Sequence, residues 1–178
     1  LNLALKVESK LKLDNNKTYK VFFRSILKIK NKLINYLDKF VENKKIIHGY
    51  GASTKGNCFL QYAGIDNTKI KYAVERNSNK FGKMTVTGIE IISEDTMRSD
   101  PPDYLLVLPW HFRTEILVRE KAFLDAGGQF VFPFPHFEIV GSKPKMLITG
   151  CDGMIAHYVK ERCIDYNLYG ISRTEQKN

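Results

Sequence analysis

The chain has 178 residues, 43% apolar and 26% charged, which is ordinary for a globular protein with one complete core and a remainder. No apolar run approaches the ~20 residues that cross a bilayer, so we expect no membrane-spanning helix in this sequence. The three cysteines form no C-x-x-C pair, which argues against a zinc site and against a disulfide framework. We expect a reduced, cytoplasmic protein with no metal site and no membrane partner.

The net charge of +9 is concentrated at the amino-terminal end. Residues 1–45 contain eleven Lys and one Arg against two Asp and two Glu, a net charge of +8. Aromatic residues are not interleaved with these lysines, as a platform for stacking single-stranded nucleic acid requires. We interpret the charge as the solvated face of a helix and expect no nucleic-acid partner.

The same segment carries a helical period. Its apolar residues recur at intervals of three and four, which places them on one stripe: Phe22, Ile26, Ile29, Leu33, Leu37 and Phe40. Asn15, Asn16 and Thr18 can cap the start. The spacing predicts an amphipathic helix over residues 17–43, whose apolar stripe covers either the following sheet or a preceding domain.

From residue 45 onward, short apolar runs alternate with helical patterns. We predict strands at 46–50, 70–74, 89–92, 103–108, 129–132 and 137–140, and helices at 55–63, 95–100 and 113–125. Such alternation indicates an α/β fold, with a Rossmann-like parallel sheet covered by helices on both faces. Ligands of such sheets bind beyond the carboxyl ends of the strands. The loops 50–57, 75–83 and 109–113 are therefore the candidate binding loops.

The first candidate loop is a glycine turn. Gly51 and Gly56 bracket Ala-Ser-Thr-Lys, which matches neither the P-loop nor the dinucleotide-binding pattern. The glycines, the hydroxyl of Ser53, the charge of Lys55 and the helix N-terminus nevertheless suit an anion. The other reading is a turn that only connects strand to helix. The sequence leaves both open.

The loop at 109–113 follows the most apolar strand. Trp110 can stack on a base or sugar, and His111 and Arg113 can bind phosphate or hydroxyl groups. The alternative is packing at the edge of the sheet. Glu75 and Arg76 end the second strand, where this topology often meets a ribose, although a surface ion pair explains them equally well.

Several runs in this part of the chain occur together in one order and spacing. They are Tyr50-Gly-Ala-Ser-Thr-Lys-Gly-Asn57, Tyr72-Ala-Val-Glu-Arg-Asn77, Lys80-Phe-Gly-Lys83, Ile91-Ile-Ser93, Pro102-Asp-Tyr-Leu-Leu-Val-Leu-Pro-Trp-His-Phe-Arg113 and Gly127-Gly-Gln-Phe-Val-Phe-Pro133. Over residues 5–140 the chain resembles the C-terminal domain of the S-adenosylmethionine-dependent sugar C-methyltransferases, which act on nucleotide-linked 4-keto-deoxysugars.

The resemblance implies a domain that holds a nucleotide-diphosphate sugar. The S-adenosylmethionine site and the catalytic base would lie mainly in a preceding methyltransferase domain, so no residue here is assigned as catalytic and the isolated chain is expected to be inactive. The resemblance assigns substrate positioning to six residues of the two candidate loops: Ser53, Lys55, Asn57, Trp110, His111 and Arg113.

A second glycine turn follows a short linker at residues 141–144. The run Thr149-Gly-Cys-Asp-Gly-Met-Ile-Ala156 resembles the start of the extended short-chain dehydrogenase/reductases, which include nucleotide-sugar epimerases and reductases. Gly150 would make the tight turn, Gly153 would admit a pyrophosphate, Ala156 would allow close helix packing, and Arg173 would suit the 2′-phosphate of NADP. Residues 145–178 would then be a truncated NAD(P)-binding βαβ unit.

Together the two resemblances imply a methyltransferase fused to a nucleotide-sugar reductase or epimerase, with residues 1–140 as the sugar-binding domain. The alternative is a non-catalytic module that binds a nucleotide or NAD(P).

Overall fold

The structure is a computed structural model that describes residues 2–141, 145–163 and 166–172. Its helices are α1 Asn2–Lys10, α2 Asn16–Glu42, α3 Thr54–Ala63, α4 Glu94–Ser99, α5 Arg113–Arg119, α6 Lys121–Asp125 and α7 Met154–Arg162. Its strands are β1 Ile47–Tyr50, β2 Tyr72–Glu75, β3 Glu90–Ser93, β4 Tyr104–Val107, β5 Gln129–Phe132, β6 Glu138–Val140, β7 Lys145–Thr149 and β8 Asn167–Ile171.

The main sheet has the strand order β3-β2-β1-β4-β5-β6 within the described residues. Strands β1 to β5 are parallel, and only the edge strand β6 is antiparallel to its neighbour. The chain winds from β1 outward to β3, then returns to place β4 on the other side of β1. The α/β, Rossmann-like prediction is therefore confirmed, and the order of strands reverses between β1 and β4.

Each face of the sheet carries its own apolar core, because successive side chains of a strand point to opposite faces. Ile47 and Leu106 lie on the face that α2 and α3 cover. Tyr50 and Val107 lie on the other face, with Met97 and the helices that follow β4. The ring of Phe40 stacks on Tyr104 at 3.8 Å between centroids and fixes α2 to the central strands.

The amphipathic helix forms as predicted, but the sheet covers only its second half. Asn15 caps α2 by accepting a hydrogen bond from the backbone N–H of Lys17. Leu33 and Phe40 are buried, whereas Phe22 on the same stripe is 64% exposed. We call residues 2–24 the arm. Its large apolar side chains lie in solvent, namely Leu3, Leu5, Val7, Leu11, Leu13, Tyr19, Val21, Phe22 and Phe23.

The single helix predicted over residues 113–125 is wrong. The backbone leaves the helical conformation at Glu120, with φ −101° and ψ 31°, and this break separates α5 from α6. The carboxylate of Glu120 is drawn into a buried network, which is described below.

The carboxyl-terminal residues form a separate parallel pair, β7 and β8, with α7 as the crossover. This is the predicted βαβ unit. Residues 142–144 of the predicted linker and Arg173 lie outside the described residues. Among the residues that are described, none of the helices has the length and apolarity that a bilayer crossing demands.

Candidate functional site

A crevice of about 240 Å³ lies at the carboxyl end of the sheet, where the order of strands reverses. Open α/β sheets bind their ligands at this position. The residues after β1, β2 and β4 line the crevice together with α5, and they are Ser53, Glu75, Arg76, Pro109, Phe112, Glu115, Ile116 and Arg119. Two carboxylates and two guanidinium groups therefore face a cavity with one exposed aromatic ring.

The glycines of the first turn bring its two loops together. Gly51 has φ +92°, and a Cβ there would lie 2.7 Å from Cδ of Pro109. A Cβ on Gly56 would lie 2.9 Å from Cβ of Leu108, so α3 packs directly on the end of β4. The glycines of this turn therefore set the distance between the loops that wall the crevice.

Replacing Gly51 with alanine is expected to destabilise the protein by about 2 kcal/mol or more, since overpacking and a left-handed backbone conformation both oppose a Cβ. Gly64 is the matched control, because its φ is +68° and nothing lies within 4 Å of an added Cβ. Urea unfolding should show a clearly smaller loss for Gly64→Ala than for Gly51→Ala. Equal losses would mean that the contact with Pro109 is unimportant.

Ser53 is the N-cap residue of α3 and also lines the crevice. Its hydroxyl accepts a hydrogen bond from the backbone N–H of Gly56 at 3.2 Å, which caps the helix at the edge of the crevice. The N–H groups of Thr54 and Lys55 have no acceptor within the helix. The side chain of Lys55 is exposed beside them. By contrast, Asn57 donates its Nδ2 to the carbonyl of Ser53 and so holds the turn, while its buried Oδ1 has no hydrogen-bond partner among the described residues.

Glu75 occupies the position where a dinucleotide fold would bind its ligand. One carboxylate oxygen accepts from the backbone N–H of Ala52 at 3.2 Å and from Nζ of Lys80 at 3.0 Å. The other accepts from the N–H groups of Arg76 and Asn77. Burial raises the pKa of Glu75, but these hydrogen bonds outweigh it and the pKa is lowered. The backbone N–H of Ala52, in the turn after β1, is therefore already bound to the carboxylate of Glu75.

The second predicted loop divides its side chains between packing and solvent. Trp110 packs on Phe134 with 4.7 Å between ring centroids. Arg113 pairs with Glu138 at 2.9 Å and lies over the ring of Phe132. His111 is exposed. Of the six predicted substrate residues, only Ser53 lines the crevice, while the others lie on the two loops that form its walls.

Sequence reasoning missed a buried polar network next to the crevice. The hydroxyl of Tyr50 lies 2.7 Å from Glu94, 2.8 Å from Glu120 and 2.9 Å from Nη2 of Arg119. Arg98 binds both oxygens of Glu120, at 2.6 Å and 3.1 Å. Tyr50 and Glu120 are 70 residues apart, so no local spacing could reveal their contact.

The second glycine turn has part of the geometry that its pattern predicts. Gly150 has φ +71°, as its tight turn requires, and Ala156 is a buried residue of α7. Gly153 precedes α7 without a side-chain cap, which leaves the first N–H groups of that helix available to an anion. Arg173, the fourth residue predicted for this unit, lies outside the described residues.

Comparison with known proteins identifies the family of the larger domain. Residues 1–135 match the family described as "C-methyltransferase C-terminal domain". The chain is also similar to the C-methyltransferase NovU of Streptomyces niveus, with 29% identity over 126 residues. That match covers 70% of this chain but only 30% of the relative, so the chain spans less than a third of the relative's length. The arm, the six-stranded sheet and the crevice all lie within or beside the matched residues, and the chain belongs to the C-methyltransferase C-terminal domain family.

Proposed function

We propose that this chain is the substrate-positioning part of an S-adenosylmethionine-dependent C-methyltransferase that acts on a nucleotide-linked 4-keto-deoxysugar. The crevice at the strand reversal carries this proposal, because it combines charged hydrogen-bonding groups with an aromatic wall. The similarity to a C-methyltransferase supports the class of reaction.

S-adenosylmethionine supplies the methyl group in this proposal, and its site lies mostly outside the chain. The β1 turn does not fit a nucleotide cofactor, since Glu75 engages the N–H of Ala52 and Pro109 packs against Gly51. No step of methyl transfer is therefore assigned to residues of this turn.

The rim of the crevice suits the diphosphate of the substrate. Lys55 is exposed in the first turn of α3, near N–H groups that have no helical acceptor. Arg76 lines the crevice and is exposed after β2. We assign the diphosphate to these two cations and to the start of α3, with Ser53 and the exposed His111 as neighbouring contacts. Asn57, Trp110 and Arg113 act indirectly, because contacts within the protein already engage them.

Titration calorimetry of the chain with thymidine diphosphate and its sugar conjugates tests this assignment. We expect Lys55→Ala and Arg76→Gln each to weaken binding about tenfold or more, because a charge-assisted hydrogen bond contributes about 1.5–3 kcal/mol. Lys39→Ala is the matched control, since Lys39 is an exposed lysine on α2. Unchanged affinity in both rim variants would refute the assignment of the diphosphate.

The same titrations distinguish the alternative function. A chain that binds NADP but no nucleotide sugar would be the non-catalytic NAD(P)-binding module, and the proposal of a sugar site would be withdrawn.

For the carboxyl-terminal unit, we propose that Gly150, Gly153 and Ala156 begin an NAD(P)-binding domain of a fused reductase or epimerase. The uncapped start of α7 and the left-handed Gly150 support this second function.

A further inference from the structure

One arginine of the crevice is held in place by groups that no ligand would touch. Arg119 ends α5, lines the crevice, and has a side chain that is 30% exposed. Its Nε and Nη2 lie 3.1 Å and 2.9 Å from the hydroxyl of Tyr50. All hydrogen bonds that Arg119 makes within the described part of the chain use these two nitrogens, which leaves Nη1 for another acceptor.

The hydroxyl of Tyr50, which holds Arg119, is itself held by a hydrogen bond to a carboxylate. Tyr50 is the last residue of β1 and is 3% exposed. Its hydroxyl accepts from Arg119 and has one hydrogen to donate, which goes to Glu94 or to Glu120. Burial raises the pKa of Tyr50, and its carboxylate neighbours add to this effect. The group therefore stays a neutral phenol.

The carboxylates are in turn bound by a different arginine. Arg98 lies 2.6 Å from Glu120 and 3.1 Å from Glu94. Arg119 lies farther from the same two carboxylates, at 3.3 Å from Glu94 and 3.6 Å from Glu120. Arg98 balances one of the two negative charges, and Arg119 balances the other. The shortest contact of Arg119 is nevertheless with the neutral hydroxyl of Tyr50. These contacts fix the orientation in which the guanidinium meets a ligand.

The charges around the crevice indicate which part of a ligand Arg119 faces. Glu75 and Glu115 line the crevice beside Arg119, so the surroundings of Arg119 attract a dianionic diphosphate less than the rim cations Lys55 and Arg76 do. The ring of Phe112 is 48% exposed and offers an apolar wall. Such a cavity favours a neutral, oxygen-rich ring over a phosphate.

We propose that Arg119 donates hydrogen bonds to the sugar ring of the bound nucleotide sugar, and that Tyr50 is the positioning residue that orients it. This inference rests on the proposed function, and it separates the sugar contact inside the crevice from the diphosphate contact at the rim.

The test compares two ligands on each variant: thymidine diphosphate, and the same nucleotide carrying a 4-keto-6-deoxyglucose. The wild-type chain should bind the sugar conjugate more tightly, and the ratio of the two dissociation constants measures the sugar contact. Arg119→Gln should reduce this ratio about tenfold while leaving the affinity for thymidine diphosphate unchanged. Tyr50→Phe should reduce the ratio in the same direction.

A double-mutant cycle identifies Tyr50 as acting through Arg119. In the Arg119→Gln background, Tyr50→Phe should produce no further change in the ratio. Arg24→Gln and Tyr72→Phe are the controls, since Arg24 is exposed on α2 and Tyr72 lies at the opposite end of its strand from the crevice. Circular dichroism and unfolding show that each variant is folded. A purely structural role for Tyr50 would lower stability without changing the ratio.

Three outcomes overturn the inference without touching the proposed function. They are a wild-type chain that binds both ligands equally, an Arg119→Gln variant that loses affinity for thymidine diphosphate to the same extent, and additive effects of the two substitutions. Absence of binding by either ligand would instead refute the proposed function itself, and the inference with it.

Discussion

Replacing Glu120 with leucine is expected to lower the free energy of unfolding by about 3 kcal/mol, among the largest effects of any single change outside the apolar core. Glu120 is 2% exposed and binds Arg98 through both carboxylate oxygens. Without Glu120, Arg98 keeps only its contacts with Glu94 and Asp95, at 3.1 Å each, and the hydroxyl of Tyr50 loses one of its acceptors. The side chain of Arg98 is 40% exposed, so water relieves part of this cost and places the effect at the lower end of the usual range.

Urea unfolding at pH 7, followed by the fluorescence of Trp110, measures this loss, because Trp110 is the single tryptophan of the chain. Glu115→Leu is the matched control, since Glu115 is an exposed glutamate on the neighbouring helix α5. A loss below about 1 kcal/mol for Glu120→Leu would mean that the network contributes no more than a surface ion pair.

Replacing His48 with leucine is expected to remove a large part of the acid sensitivity of the fold. His48 on β1 is 1% exposed, and neither ring nitrogen has a hydrogen-bond partner among the described residues. Burial and, to a smaller extent, the charge of Lys71 lower the pKa of His48 to about 4, while Asp100 opposes the shift. The neutral ring still buries one unpaired N–H, which costs about 1–3 kcal/mol. The leucine variant should therefore be at least as stable as the wild type at pH 7.

The direction of the pH effect follows from the two pKa values of His48. In the unfolded chain the pKa of His48 is 6.5. Between about pH 6.5 and pH 4 the ring is therefore mostly protonated in the unfolded state and mostly neutral in the folded state. Stability is thus lost as the pH falls from 6.5 to 4, by about 3 kcal/mol in total. Unfolding midpoints of wild type and variant should diverge over this interval. His136→Leu, at an exposed histidine, should follow the wild type, and parallel curves for His48→Leu would contradict the prediction.

Local signals made most of the fold predictable. The strand at 129–132 is found where it was predicted, since an apolar run between turn residues needs no distant partner to be recognised. The helix predicted to end before Gly64 does so, with that glycine in the left-handed conformation. The spacing of three and four residues likewise placed α2 within one residue at each end. Helix and strand periods are local properties, and they survive in a single sequence.

The candidate site was less predictable because distant partners decide it. The break at Glu120 arises from a carboxylate that turns toward Tyr50 and Arg98, which lie 70 and 22 residues away in the chain. Arg113 is engaged by Glu138, 25 residues further on, on an edge strand that runs antiparallel. Residue types at the ends of strands predicted the loops that meet at the crevice, but they could not show which side chains turn into it.

The uneven burial of α2 has a mechanical consequence. An α-helix rises about 1.5 Å per residue, so the 27 residues of α2 form a stiff rod of about 40 Å that the sheet grips only at its carboxyl-terminal end. The grip consists chiefly of Leu33, Leu37 and Phe40. A small tilt of α2 about these three residues displaces its amino-terminal end by a much larger distance. Because Phe40 stacks on Tyr104 at the start of β4, a tilt of α2 would also shift β4, the strand that ends at the crevice.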